Sequence, residues 1–241
     1  MRLTRNIRQA IGSLARLQRD RSGLALLEFA FSLPLVLGIG LYGVETANLA
    51  LANLRVSQTA LNLADNASRV GLQSSLAVQQ FREVDVNDIF QQIRAQTSNW
   101  ELTNRGRITL SSLEEKSGNQ VIHWQRCIGM KNGTNWDSSY GKTTASAGSD
   151  QSAANSGTVV AGGMGPTGAK VTAPPASGVM FVEINYDYKP VVSSLWLPGG
   201  TARINYIASF VVRDRRDFAQ IYNPQPSVAS GSRMTCNRYT T

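Results

Sequence analysis

The sequence predicts an α+β protein in which a long N-terminal helix precedes a small domain with an antiparallel sheet of about four strands. Three observations predict this fold: an apolar run near the N-terminus, an apolar stripe at helical spacing after it, and two late segments in which apolar and polar residues alternate. The chain has 241 residues, 42% of them hydrophobic, which allows one domain with appendages and a buried core.

The positive charge of the chain is concentrated at its beginning. The formal net charge is +8, and residues 1–22 contribute most of it through six arginines against one acidic residue, Asp20. The arginines are Arg2, Arg5, Arg8, Arg16, Arg19 and Arg21. The remaining residues are nearly balanced in charge and offer no single-sign face to a phosphate backbone, so we expect no nucleic-acid partner.

An apolar segment, residues 24–44, follows the arginines and contains one formal charge. As a helix it would cover roughly 30 Å, the thickness of bilayer hydrocarbon, so we predict a membrane span. The basic flank predicts a cytoplasmic N-terminus and an exported remainder. Two alternatives stay open: a buried core helix, and a cleaved secretory signal ending at the small-x-small sequence Ala50-Leu51-Ala52.

Glu28 is the charged residue of this span, and an ionised carboxylate in hydrocarbon costs at least ~2.5 kcal/mol on insertion scales. Snorkelling toward the cytoplasmic face would relieve part of that cost. A more specific explanation comes from the position of Glu28 as the fifth residue after Gly23. The segment reads Ser22-Gly23-Leu24-Ala25-Leu26-Leu27-Glu28-Phe29 and continues with Leu33-Pro34 and a later Glu45.

This pattern resembles the prepilin-peptidase site of type IV pilins, and its continuation is similar to the TadE-like family of pilus-assembly pseudopilins of the Tad (type IVb) system. Major pilins of that system usually have Tyr after the Glu and are very short, whereas this chain has Phe29 and a large exported region. The resemblance covers roughly residues 15–70.

The resemblance implies a non-catalytic minor pilin in the bacterial inner membrane, with a small pilin-like domain in the periplasm. It implies cleavage between Gly23 and Leu24 by prepilin peptidase, and pairing of Glu28 with the N-terminal amine of a neighbouring subunit. The implied partners are that peptidase, other pilins or pseudopilins, and Tad assembly-platform proteins. Residence in a surface pilus, at its tip or in the platform stays open. The alternative is an uncleaved, signal-anchored periplasmic binding or adhesion module.

The apolar helical period continues beyond the span. The stripe consists of Leu49, Ala52, Val56, Ala60, Leu63, Ala67 and Val70, and it predicts one helix from Leu24 to about Gly71, roughly 72 Å long. Pro34 is expected to kink its membrane half, because proline removes an intrahelical hydrogen bond. We expect the exported stripe to pack on the protein's own sheet, and residues 24–44 to pack on sister helices through small residues.

The exported region is predicted to hold a second helix at residues 81–100 and strands at 107–113, 121–127, 180–188 and 203–212. The first two strands form a hairpin across residues 114–119. Alternation in the last two predicts one buried and one solvated face, with Glu183, Asn185 and Asp187 on the solvated face. The domain organisation is therefore a leader (1–23), a span (24–44), stalk and second helix (45–100), and a β-rich domain (101–241).

Residues 129–178 interrupt the strands, and 31 of these 50 residues are Gly, Ala, Ser or Thr. Because large apolar anchors are scarce there, we expect a mobile surface insertion without a core of its own. Cys127 and Cys236 are the two cysteines, and export favours a disulfide between them that would add up to ~4.7 kcal/mol and hold the C-terminal tail.

The sequence shows no established catalytic motif. A serine hydrolase would depend on the one histidine, His123, which lies in a predicted strand. Asp85 and Asp88 are explained by a solvated helix start rather than a cation site, and the charged run at 213–217 by self-compensation at a strand end. We therefore expect no enzyme activity, cofactor, metal or small-molecule substrate.

Overall fold

Helix α1 dominates the computed structural model, which describes residues 23–70 and 78–241. It extends over Leu24–Arg69, 46 residues, and is therefore about 69 Å long. Pro34 lies inside the helix without ending it. The single continuous helix predicted from the apolar period is confirmed. The predicted arginine-rich leader, apart from Gly23, lies outside the described residues.

A five-stranded antiparallel sheet forms the centre of the domain, one strand more than the sequence predicts. In chain order the strands of the described residues are β1 (Gln79–Arg82), β2 (Gly106–Lys116), β3 (Asn119–Ile128), β4 (Thr158–Val159), β5 (Gly178–Asp187), β6 (Arg203–Val211) and β7 (Arg216–Tyr222), and β2 to β6 form this sheet. The spatial order is β4-β3-β2-β5-β6, with a short helix α3 (Leu102–Arg105) leading into β2. The α+β class is therefore confirmed.

The second half of α1 packs against β5 and β6. Its alanine-rich stripe is buried at Ala52, Val56, Ala60, Leu63 and Ala67, in one apolar cluster with the sheet. The small side chains allow the helix to approach the strands closely. The expectation that this stripe covers the protein's own sheet is confirmed.

The second helix, α2, is shorter than predicted and covers Glu83–Gln96. The residues before it form strand β1 (Gln79–Arg82), which pairs in parallel with β7 (Arg216–Tyr222). Phe81 therefore lies in a strand, where its ring stacks on that of Trp124 with the centroids 5.3 Å apart. The prediction of a helix over residues 81–100 was wrong at both ends.

The hairpin between β2 and β3 turns at Ser117 and Gly118 alone. Both have positive φ, 51° and 79°, as a two-residue turn of matching twist requires, and Gly118 meets that requirement without steric cost. The predicted loop at residues 114–119 was therefore too long. Its first three residues belong to β2, where Glu114 pairs with Val121.

The insertion at 129–178 covers the second face of the sheet. Met164 and Ala173 are buried there in a second apolar cluster with Leu113, Ile122 and Phe181 from the strands. The expectation of a mobile surface loop is contradicted by this packing. The segment builds no core of its own, as expected, because the sheet supplies the large apolar anchors on which it packs.

The same insertion overturns the predicted solvated face of the sheet. Glu183 and Asn185 are each 1% exposed. The Ser139 backbone N–H donates to both Glu183 carboxylate oxygens, and Asn185 Nδ2 donates to the Trp136 carbonyl oxygen at 2.9 Å. Polar alternation in β5 therefore serves a buried contact rather than solvent.

A disulfide joins Cys127 of β3 to Cys236 of the C-terminal tail, across a separation of 109 residues, as the sequence predicts. Backbone hydrogen bonds from Cys127 to Met234 and from Gly129 to Thr240 flank it. The buried Arg107 guanidinium donates to the carbonyl oxygens of Gly129, Cys236 and Arg238. The tail is thus fixed beside the edge of the hairpin.

Candidate functional site: helix α1 and its junction with the domain

The first half of α1 projects from the domain with its apolar side chains uncovered. Leu26, Phe31 and Ile39 are 74%, 72% and 72% exposed. Within this helix, a stretch of 18 residues is strongly apolar, and none of it is buried. The helix is therefore long and apolar enough to cross a membrane. Among the described residues it is the one such helix, as in a single-pass membrane protein.

Gly23 and Glu28 lie at the exposed start of this helix. Gly23 is its N-cap, and the Leu27 backbone N–H donates to the Gly23 carbonyl oxygen at 3.0 Å. Leu24 and Phe29 are 59% and 58% exposed. Glu28 is exposed and makes no hydrogen bond or ion pair with any residue in the described ranges 23–70 and 78–241. Its carboxylate and the surrounding apolar side chains thus face outward together.

Glu45 joins α1 to the domain immediately after the uncovered half. Its side chain is 2% exposed. The carboxylate accepts hydrogen bonds from Tyr188 Oη at 2.7 Å, the Val192 backbone N–H at 2.7 Å and the Val191 backbone N–H at 3.1 Å. Burial and the hydrogen bond to Glu45 raise the pKa of the Tyr188 hydroxyl. We call this contact the proximal clamp.

Arg216 forms a corresponding contact at the other end of the helix, which we call the distal clamp. Its guanidinium donates to the carbonyl oxygens of Ala67 at 3.0 Å and Val70 at 2.6 Å. Ala67 lies in the last helical turn and Val70 is the C-cap, where carbonyl oxygens need partners from outside the helix, and a cation is favourable at this end of the helix dipole. Burial lowers the pKa of the Arg216 guanidinium to about 10.

The two clamps define the orientation of the domain relative to α1. Strand β5 ends beside Glu45, since Tyr188 follows it directly, and β6 ends near Arg216. The end of the sheet near Glu45 is the proximal end. The distal end includes the turn at residues 117–118, because Glu114 pairs with Gly178 at the start of β5.

Neither clamp can be predicted from the sequence alone. Glu45 stands out only through the resemblance to a family pattern, and Arg216 is one residue of the charged run at 213–217. A signal for Glu45 is nevertheless present: it lies four residues before Leu49 and therefore on the same face as the apolar stripe. An acidic residue on that face must be buried with a partner.

His123 does not form a serine-hydrolase triad. It is 1% exposed, with its Nδ1 2.9 Å from Glu114 Oε2. Ser112 Oγ donates to Glu114 Oε1 at 2.7 Å, so the serine contacts the carboxylate rather than the imidazole. A triad needs the serine hydroxyl on the imidazole and accessible to substrate.

The Asp85 carboxylate is buried and bonded to Arg82 rather than solvated. It accepts from the Arg82 backbone N–H at 2.8 Å and from the Arg82 guanidinium at 2.7 Å, which caps α2, while Asp88 is exposed. Its buried neighbour Glu83 holds the Arg126 guanidinium through both carboxylate oxygens. In the part of the chain that the structure describes, His, Cys, Asp and Glu form no group of three suited to a metal ion.

A cavity of about 290 Å³ lies beside the disulfide. Its polar lining includes Asp137, Lys142 and Gln125, together with Thr109 and Asn237.

Comparison with family models, characterised proteins and solved structures gives no match to this chain.

Proposed function

We propose that this protein is a non-catalytic minor pilin or pseudopilin of a Tad-type pilus, cleaved by prepilin peptidase after Gly23 and assembled through the first half of α1. One observation carries the proposal: the apolar half of the helix is uncovered and has its carboxylate, Glu28, five residues after Gly23. The buried imidazole of His123 supports the non-catalytic part.

The helical geometry supports a contact between neighbouring subunits. Cleavage would create an α-amino group on Leu24, four residues from Glu28, which is about 6 Å along the helix axis. A neighbouring helix displaced axially by about that length would bring its amine to the Glu28 carboxylate. The pair would neutralise two groups that hydrocarbon penalises, and loss of one partner from a buried pair costs ~3–5 kcal/mol.

Cleavage is tested by the intact mass and N-terminal residue of the chain purified from membranes. We expect Leu24 at the N-terminus in cells with the peptidase and Met1 in cells without it. Gly23→Leu should give the uncleaved mass in cells with and without the peptidase, because the substitution removes the small residue that the cleavage site requires. Met1 in both wild-type samples would refute the processing step.

Assembly is tested with Glu28→Ala, with Ser32→Ala as the matched control. Ser32 is also a polar residue on the exposed half of α1, but its hydroxyl bonds within its own helix, to the Phe29 carbonyl oxygen. We expect Glu28→Ala to keep membrane integration in carbonate extraction and to lose co-purification with other pilus subunits, with Ser32→Ala unchanged in both. Undiminished piliation with Glu28→Ala would contradict the assembly role.

The cavity beside the disulfide favours a second candidate, an uncleaved, signal-anchored periplasmic binding module. In that case the mature chain begins at Met1, and substitutions at Glu28 have no effect. An N-terminus at Asn53 would instead indicate a secreted protein cut by signal peptidase.

A further inference from the structure

A charge-free loop lies beside the end of the apolar half of α1. Residues 190–202, here called the interfacial loop, contain no Asp, Glu, Lys or Arg, whereas Lys189 and Arg203 flank them. Leu195 is 91% exposed, Val191 66% and Trp196 38%. Such a run of outward apolar side chains on a folded domain marks an interaction surface.

The loop is held at the membrane end of the domain. The proximal clamp fixes its first residues, because Val191 and Val192 donate to Glu45. Farther along the loop, the Leu197 side chain is 6% exposed and packs in the main apolar core of the domain. Between these anchors, the Trp196 ring lies 5.7 Å from the ring of Tyr42 on α1. The loop and the last turn of the apolar half therefore lie at one level.

The backbone of the loop suits an environment poor in water. The Leu195 N–H donates to Ser193 Oγ at 3.2 Å, and the Leu197 N–H donates to the Ser194 carbonyl oxygen at 3.0 Å. The Val191 and Val192 N–H groups are used by Glu45. A backbone donor that is bonded within the protein does not need water, which lowers the cost of bringing this part of the loop to lipid.

We propose that the interfacial loop docks on the outer leaflet of the membrane that α1 crosses, with Leu195 inserted and Trp196 at headgroup level beside Tyr42. Tryptophan and tyrosine are favoured at this level of a bilayer. The inference rests on membrane insertion of α1, one part of the proposed function, and requires neither cleavage nor pilus assembly.

The test places a fluorophore on each of two exposed aliphatic positions at opposite ends of the domain. Leu195→Cys and Val159→Cys are labelled with the environment-sensitive probe NBD in the otherwise native full-length chain, whose own cysteines are joined in the disulfide. Val159 is 61% exposed and lies on β4, which pairs at the distal end of the sheet. Each chain is reconstituted in phosphatidylcholine vesicles with or without bromine on the acyl chains.

We expect NBD at position 195 to emit at shorter wavelength in vesicles and to be quenched by brominated lipid, and NBD at position 159 to show neither effect. Carbonate extraction of the same vesicles reports insertion of α1 separately. Integrated chains without quenching at position 195 would overturn the loop assignment and leave the proposed function intact. Chains that carbonate extracts would overturn both.

A second copy of the chain is the competing occupant of the loop surface. A contact with lipid is independent of the protein-to-lipid ratio, whereas a contact between copies weakens on dilution in the bilayer. Quenching by brominated lipid that persists at high dilution supports the proposal. A shift to shorter wavelength that disappears on dilution, without quenching, would overturn it in favour of self-association.

Discussion

Removal of the Glu45 carboxylate is expected to destabilise the domain strongly. In Glu45→Ala, three donors that now bond to a side chain 2% exposed, the Tyr188 hydroxyl and the N–H groups of Val191 and Val192, lose their acceptor. Each buried donor left unpaired costs about 1–3 kcal/mol. Because the three donors share one acceptor, and the Val191 and Val192 N–H groups are only partly buried, the penalties overlap and we expect a total loss of about 3–6 kcal/mol.

The assay is thermal unfolding of the full-length chain in detergent, followed by tryptophan fluorescence and near-ultraviolet circular dichroism, which report on the domain rather than on α1. For a domain of this size, a loss of about 3 kcal/mol lowers Tm by at least about 6 °C. Tyr188→Phe removes one donor and should lower Tm less. The two substitutions should also be less than additive, because they remove a shared hydrogen bond.

The matched control is Glu101→Ala, which removes an exposed carboxylate 3.8 Å from the Lys189 ammonium and should leave Tm nearly unchanged. The reasoning is refuted if Glu45→Ala lowers Tm no more than Glu101→Ala does. Full additivity between Glu45→Ala and Tyr188→Phe would also contradict it, because the clamp would then not be a shared contact.

Three further predictions concern the rest of the domain. Glu83→Ala strands the buried Arg126 cation and should lower the free energy of unfolding in urea by ~3–5 kcal/mol, whereas Asp65→Ala, in a surface pair, should cost under ~1 kcal/mol. Cys127→Ser should cost ~2–5 kcal/mol, measured in the same way without reductant. Burial and a hydrogen bond to a carboxylate raise the pKa of Tyr222 from 10.0 to about 12. The unfolded chain therefore loses this proton first, and stability should fall between those pH values, less steeply in Tyr222→Phe.

Helical periodicity predicted the largest element because its signal is repeated many times. From Leu49 to Ala67 every stripe residue contributes to one face, and local irregularities do not alter the pattern. The predicted strand centres in β5 and β6 benefited in the same way from an alternation that persists over several residues. The disulfide pairing followed from having two cysteines in a chain that the sequence predicts to be exported.

The parallel pairing of β1 with β7 could not be predicted from either segment. β1 has four residues, too few for a period, and its partner lies more than 130 positions away in the chain. The charge run around Arg216 resembles a solvated surface, and burial of this guanidinium depends on where helix α1 ends in space. Such a contact belongs to the tertiary structure and leaves no local pattern.

The covering of the sheet by residues 129–178 was missed for a compositional reason. Composition alone indicates whether a segment can build a core by itself, and this segment cannot. It does not indicate whether another element offers an apolar surface on which small residues can lie. Val179 and Phe181 of β5, together with Leu113 of β2, provide that surface.

The placement of the two clamps also determines how the molecule would bear a mechanical load. Glu45 holds one end of the seam between helix and sheet, and Arg216 holds the other, with the alanine-rich stripe between them. A pull along the helix axis is therefore distributed along the whole seam as shear. Separating the domain from α1 at either end would first require breaking a buried charged contact. Helix α1 and the domain would therefore move as one rigid body under load.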